Sequence, residues 1–208
     1  MSFDGGFFES PRSNRRLDVF DIAQAIATDT ALEAKLRAPL TSEARFTGRI
    51  PAYPTGAAVC EVEIDRETGA VALKRYSSVD DCGQPINPLI VHGQVHGGIA
   101  QGAGQALSEC VTHERSSAQV LTGSFMDYAM PRADMMPSFT VELAEDPTKG
   151  NPLRVKGGGE AGITPALAVV MNAIMDALKD YGVEHMDMPA TPARIWSTIL
   201  LPSCRAMS

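Results

Sequence analysis

Val155-Lys156-Gly157-Gly158-Gly159-Glu160-Ala161-Gly162-Ile163-Thr164-Pro165 opens the stretch 155–178, around which the rest of the chain is organised. Three consecutive glycines free the backbone for positive φ and for close approach to a neighbour. Glu160 follows them at once. Thr164 and Pro165 predict a helix start, with a hydroxyl N-cap and proline at the first helical position. Leu167, Val170, Met171, Ile174 and Leu178 then recur at helical spacing and mark one buried face. One acidic side chain is thus set on a glycine loop just ahead of a buried helix.

Spacing alone leaves other readings of this loop open. Gly157, Gly159 and Gly162 match the G-x-G-x-x-G dinucleotide fingerprint, with Asp176 or Asp180 about 20 residues on. Against it, residues 151–155 make a poor buried strand, and Glu160 would place negative charge where pyrophosphate should sit. The loop also reads as a tight turn with Glu160 solvated near a helix N-terminus, where a carboxylate is favourable.

Upstream, residues 89–109 have helical length and apolar periodicity but contain Gly93, Gly97, Gly98, Gly102 and Gly104. Each costs a helix about 1 kcal/mol relative to alanine, on the order of 4–5 kcal/mol together. Either the helix breaks there, or something approaches closer than a Cβ permits: another helix, or a large flat ligand. Gln94, Gln101 and Gln105 stand among the glycines and offer neutral amide donors and acceptors. Asn87-Pro88 predicts the start of this helix.

The remaining elements are conventional. Alternation over 57–65 and 71–79, joined by Arg66-Glu67-Thr68-Gly69, predicts an antiparallel hairpin. Residues 138–143 read as another strand. Residues 3–9 suggest a short strand with a turn at Asp4-Gly5-Gly6, and 17–27 an amphipathic helix that 28–35 continue as a second. The proline-rich loop 39–54 divides a small N-terminal segment, 1–45, from a main body, 46–208. Phe125, Met126, Tyr128 and Met130 read as core. Tyr181-Gly182 predicts a helix stop, and 193–200 a final helix with Trp196 packed inward.

The 208 residues, 44% hydrophobic and 21% charged, suffice for a sizeable core. A net charge of −7 and a pI near 5.1 argue against a nucleic-acid or anionic-membrane surface. No leader or membrane-spanning stretch is read. Cys60, Cys82, Cys110 and Cys204 form no C-x-x-C pair, which suits buried thiols in a reducing cytoplasm. His92 and His96 share a helix face but lack a third ligand, so no metal site is expected from within the chain.

Three stretches together carry a family resemblance: 79–83 running through Ile86-Asn87-Pro88 to 93–102, Thr122-Gly123-Ser124-Phe125-Met126-Asp127-Tyr128, and Lys156-Gly157-Gly158-Gly159-Glu160-Ala161-Gly162. They resemble the C-terminal part of the molybdenum-binding large subunit of the xanthine dehydrogenase/aldehyde oxidase family, closest in flavour to aerobic carbon monoxide dehydrogenase. The likeness runs from about residue 46 to 201. It implies an α+β fold, with antiparallel strands packed on long helices, as the molybdopterin-binding C-terminal domain of a molybdenum hydroxylase.

It also implies a molybdenum–molybdopterin cofactor, in the cytosine dinucleotide form of bacteria, with iron–sulfur and FAD groups on partner subunits. Glu160 aligns with the general base. Gln94 aligns with a glutamine that hydrogen-bonds the pterin, and Gly97, Gly98, Gln101, Gly102, Lys156, Gly157, Gly158 and Gly159 fall on cofactor-binding segments. The implied reaction oxidises an aldehyde, N-heterocycle or carbon monoxide, with water as oxygen source. The expected partners are the N-terminal half of the large subunit, an iron–sulfur small subunit and an FAD-binding medium subunit; without that half the chain should be inactive. Gly158 and the sequence after Thr164 depart from the commoner pattern of relatives. A non-catalytic domain of the same fold, or a nucleotide-binding protein using the loop 157–162, are the alternatives.

Overall fold

The computed structural model describes residues 1–33, 36–37, 41, 43–47 and 52–200. Its contacts gather into two units, residues 1–49 and 50–208. In the first, β1 (Ser2–Asp4), β2 (Phe7–Glu9) and β3 (Arg16–Asp18) form an antiparallel meander. Gly5 and Gly6, at φ 53° and 87°, make the two-residue turn that joins β1 to β2. Leu17 pairs with Phe8 in β3, so α1 (Val19–Thr28) begins two residues later than the periodicity predicts. Asp18 caps it, accepting from the Phe20 amide at 2.6 Å. The second helix expected at 28–35 is absent over 29–33, where Asp29 Oδ1 instead accepts from the Ala31 amide at 2.8 Å. Residues 34–35 and much of the loop 39–54 lie outside the described residues.

The second unit is α+β. The hairpin of β4 (Thr55–Ile64) and β5 (Val71–Asp81) turns through Gly69 at φ 74°, with Asp65 accepting from the Glu67 amide and the Thr68 hydroxyl. β5 buries Leu73, Tyr76, Ser78 and Asp80 along one face. The third strand, β6 (Phe139–Leu143), lies parallel to β5 rather than antiparallel, in register from Tyr76–Phe139 to Asp80–Leu143. A parallel partner needs a long crossover, and the segment between the strands supplies it, beginning with α2 (Pro88–Leu107).

Helix α2 starts where expected: Asn87 Oδ1 accepts from the Ile90 amide at 3.3 Å, and Pro88 stands at the first position. It runs unbroken for 20 residues through all five glycines. Two of them explain themselves at the crossing with α3 (Ile163–Leu178). A Cβ on Gly98 would sit 2.8 Å from the Ile163 nitrogen, and one on Gly102 2.7 Å from Ala166 Cβ. From the other side, a Cβ on Gly162 would overlap the Val95 carbonyl. Around this crossing Val95, Ile99, Ala103, Ala166, Val170, Ile174 and Leu178 are buried and join Tyr76 and Ile195 in one core.

Helix α3 begins earlier than its hydroxyl–proline signal. Gly162 is already helical, so Thr164 and Pro165 lie inside the first turn, where a missing proline N–H costs nothing. The residue that must pass under α2 sets the start, not the residue that could cap it. Leu167 and Met171 are half-buried, with Ala166 taking the innermost place. Gly182, at φ 69°, ends the following turn as expected. In α4 (Pro192–Leu200) Ile195 is fully buried while Trp196 is 44% exposed, so Ile195 and not Trp196 anchors that helix.

Substitutions on α2 should separate two kinds of glycine. Gly102→Ala should destabilise the chain by about 1–3 kcal/mol through overpacking. Gly93→Ala and Gly97→Ala, whose Cβ atoms would meet nothing within 4 Å among the described residues, should each stabilise it by about 1 kcal/mol. Urea midpoints of the three variants check both signs.

Candidate functional site

The exposed side of α2 carries Gly93, Gln94, Gly97 and Gln101. These residues recur at spacings of three, four and seven and therefore share one face. Gln94 reaches from it to the glycine loop, where its Nε2 donates to the Gly159 carbonyl at 3.1 Å. Among the described residues, no atom beyond the neighbouring backbone lies within 4 Å of where a Cβ would stand on Gly93, Gly97 or Gly159. The result is a face with two glycines open to solvent, flanked by neutral amides. Gly98 and Gly102 do not belong to it, since both face α3.

The loop itself is held by a few backbone contacts. The Gly157 amide donates to the Ala52 carbonyl at 2.9 Å, and the Gly158 α-carbon lies beside the buried Cys82 side chain. Thr164 N donates to the Glu160 carbonyl at 3.2 Å, fixing Glu160 one turn ahead of α3. Its side chain is exposed and lines a cleft of about 350 Å³ with Tyr53, Thr55, Asp80 and Thr164. Lys156 does not face that surface; its ammonium contacts Asp81 and Asp146. No strand precedes the loop: Val155 makes only an isolated antiparallel bridge to Gly83. A dinucleotide fold needs a parallel strand running into its glycine turn, and this loop has none.

Two carboxyls on β5 escaped the sequence reading of the site. Asp80 is 2% exposed and lines the same cleft as Glu160. Its Oδ2 accepts from the Ser78 hydroxyl at 2.8 Å, and Gly56 opposite leaves room for Oδ1. Burial pushes the Asp80 carboxyl above its ordinary range, and the one hydrogen bond from Ser78 offsets this only in part. Asp81, on the other face, meets Lys156. The alternation of β5 signals both, but only pairing with β4 and β6 shows which is buried. Nearby, burial pushes the Tyr76 hydroxyl up to about 12 and the Cys60 thiol to about 11. The Tyr76 hydroxyl has no hydrogen-bond partner among the described residues. Cys82 is buried, but Cys110 is exposed, and Cys204 lies outside the described residues.

The aromatic and methionine cluster is not core. Phe125 and Met126 are 81% and 93% exposed, on a turn closed by Tyr128 N donating to the Ser124 carbonyl. With Tyr128, Met130 and Met135 they line an open cleft of about 640 Å³. Among the described residues no three His, Cys, Asp or Glu side chains gather as a metal site. Nor is any described helix long and apolar enough to cross a membrane.

Comparison with known proteins bears on this geometry. Residues 1–137 match the molybdopterin cofactor-binding domain family, a stretch that enters both units. The nicotine 6-hydroxylase large subunit of Paenarthrobacter nicotinovorans is 35% identical over 181 residues, covering 86% of this chain and 22% of that protein. The crystal structure of quinoline 2-oxidoreductase from Pseudomonas putida 86 superimposes with a TM-score of 0.64 at 40% identity, over 67% of this chain and 18% of that one. A Cu,Mo-CO dehydrogenase in its carbon monoxide reduced state gives a TM-score of 0.74 at 26% identity, over 97% of this chain and 25% of that one. The chain thus spans 18–25% of the length of these relatives.

The raised Asp80 carboxyl has a signed consequence for stability. A carboxyl held higher in the folded state than in the unfolded one contributes stability below its unfolded value of about 3.9. That contribution is lost as pH rises through the folded value. Asp80→Asn removes the loss, so it should be more stable than the parent at pH 7 and gain nothing at pH 3.5. Urea midpoints at the two pH values measure it.

Proposed function

The chain belongs to the molybdopterin cofactor-binding domain family, and we propose that it forms one wall of the molybdenum–pterin site in the large subunit of a molybdenum hydroxylase. The open glycine face of α2 carries this reading. Gly93 and Gly97 each cost the helix about 1 kcal/mol, yet among the described residues nothing lies within 4 Å of where their Cβ atoms would stand. A helix keeps such glycines where something outside its own packing must lie flat against it. The donor set fits a pterin: Gln94 keeps one N–H and its Oε1 beyond the bond to Gly159, and Gln101 lies two turns along.

Gln94, Gln101, Gly97 and the loop 157–159 would hold the cofactor, here in its cytosine dinucleotide form. Gly98 and Gly102 act one step back, by setting how closely α3 approaches. Bound there, the molybdenum–pterin centre supplies a two-electron acceptor. Glu160 is the general base: its carboxylate takes up a proton from the water that provides the oxygen atom, a role that needs a carboxylate held within hydrogen-bond reach. The hydrogen bond from Thr164 to its carbonyl and the rigid start of α3 hold it there.

The substrate is a small electron-poor molecule: an aldehyde, an N-heterocycle or carbon monoxide. The remainder of the large subunit closes the pocket opposite Glu160. An iron–sulfur small subunit and an FAD-binding medium subunit carry the electrons away, in the cytoplasm.

Co-expression of the chain with a matching remainder of the large subunit tests the reading. Glu160→Gln should keep its molybdenum while kcat falls about 10²–10⁴-fold. Unchanged turnover, or loss of the metal together with activity, contradicts the base role. A parent complex without molybdenum contradicts the whole reading.

A further inference from the structure

Lys156 stands four residues before Glu160, where a cation could meet an anionic cofactor group. Its ammonium is engaged elsewhere. Nζ contacts Asp81 Oδ2 and, at 3.2 Å, Asp146 Oδ2, and the Lys156 and Asp81 side chains are only 14% and 12% exposed. Asp81 is the centre of the cluster: its Oδ1 accepts from the Gly83 amide at 2.8 Å and the Asp146 amide at 3.2 Å. Burial alone pushes the Asp81 carboxyl up, but Lys156 and the two amides hold it below its ordinary range. Asp81 in turn holds the Lys156 ammonium above its own.

The backbone follows the same line. Lys156 N donates to the Cys82 carbonyl at 2.9 Å, and Gln84 N to the Arg154 carbonyl at 3.1 Å. Gly83, at φ 70°, passes so close that a Cβ would stand 2.7 Å from both the Arg154 oxygen and the Lys156 nitrogen. Past Lys156 this ladder stops. Gly157 keeps one bond to Ala52, and the next backbone bond is the long one from Ala161 N to the Gly158 carbonyl at 3.4 Å. Three glycines in succession have the most conformational freedom to lose. The Lys156–Asp81 pair is therefore the last charged contact before Glu160 among the described residues; beyond it the run is held by the neutral bonds of Gly157 to Ala52 and Gln94 to Gly159.

We propose that Lys156 is a positioning residue: through Asp81 it anchors the glycine loop to the end of β5 and thereby places Glu160, and it does not itself hold the cofactor. This rests on the reading of Glu160 as the base. A displacement of about 1 Å at such a group can cost 10²-fold in rate, which gives the anchor its functional weight.

Hydrogen exchange on the full chain tests the anchor without any cofactor. In Lys156→Met the amides of Gly157 and Ala161, the two in 157–161 that donate backbone hydrogen bonds, should exchange about tenfold faster, a local opening, while those of α2 and α3 keep their parent rates. Asp146→Ala, which removes only the exposed partner, should show the same local pattern more weakly with the fold intact. Lys156→Met combined with Asp81→Asn should loosen the loop no more than Lys156→Met alone, since the lysine change already breaks the shared pair. Unchanged loop exchange in Lys156→Met and Asp146→Ala, or helices and loop loosening in step in Asp146→Ala, overturns the proposal.

In the co-expressed complex, Lys156→Met should keep its molybdenum and lower kcat with KM nearly unchanged. Loss of molybdenum there makes Lys156 a cofactor ligand and overturns the proposal. If the parent complex carries no molybdenum while Lys156→Met still loosens only 157–161, the anchor stands and the molybdenum reading falls.

Discussion

The crossing of α2 over α3 is the constraint on which the second unit depends. Gly98, Gly102 and Gly162 let the two backbones approach closer than side chains allow, with Val95, Ile99, Val170 and Ile174 filling the space on either side. Fixing this separation places the start of α3 beside the middle of α2. That in turn brings Gln94 within hydrogen-bond reach of Gly159 and sets Glu160 at the mouth of the cleft it shares with Asp80. The sheet fixes the other end of the loop: β5 runs into Asp81, which binds the Lys156 ammonium, and then Cys82, whose carbonyl accepts from the Lys156 amide. A flexible glycine run is thus held between two rigid supports, and the acidic residue follows it.

The glycines of α2 divide by what lies opposite them. Three, Gly98, Gly102 and Gly104, meet atoms of the chain itself; Gly93 and Gly97 meet none among the described residues. Composition alone could not distinguish packing from ligand approach, because both demand the same missing Cβ. Helical phase, once α3 is in place, separates them. Packing accounts for Gly98, Gly102 and Gly104, and ligand approach is the reading proposed for Gly93 and Gly97.

How much was legible in the sequence followed what decided each feature. Where a local cap or turn decides, the reading succeeded: Asn87-Pro88 starts α2, Gly69 closes the hairpin, and Gly182 ends the turn after α3. Where tertiary contact decides, local signals misled. Thr164-Pro165 looks like a helix start, but the close passage of Gly162 under Val95 moves the start of α3 to Ile163. Trp196 looks like an anchor by size, yet the phase of α4 turns Ile195 inward instead. Phe125 and Met126 look like core by composition, but their turn carries them outward. Strand alternation could not show that β6 runs parallel to β5, because period alone carries no direction. Glu160 and Gln94 were singled out through their glycine context, and the structure places Gln94 on the Gly159 carbonyl and Glu160 in the cleft with Asp80. Asp80 and Asp81 were not singled out, because a carboxylate on a strand declares its role only when its partners arrive.

The central claim is that the bare face of α2 exists to receive a flat cofactor, so the most direct measurement is the molybdenum and pterin content of the complex when that face is filled. Parent chain and Gly97→Leu, each co-expressed with the remainder of the large subunit, are compared by metal analysis and pterin fluorescence, with the urea midpoint of the chain as a control for folding. The account predicts that Gly97→Leu folds as stably as the parent or better, because a Cβ at this exposed position meets no atom of the described residues within 4 Å, yet carries little molybdenum or pterin. Full molybdenum and pterin content in Gly97→Leu would contradict it.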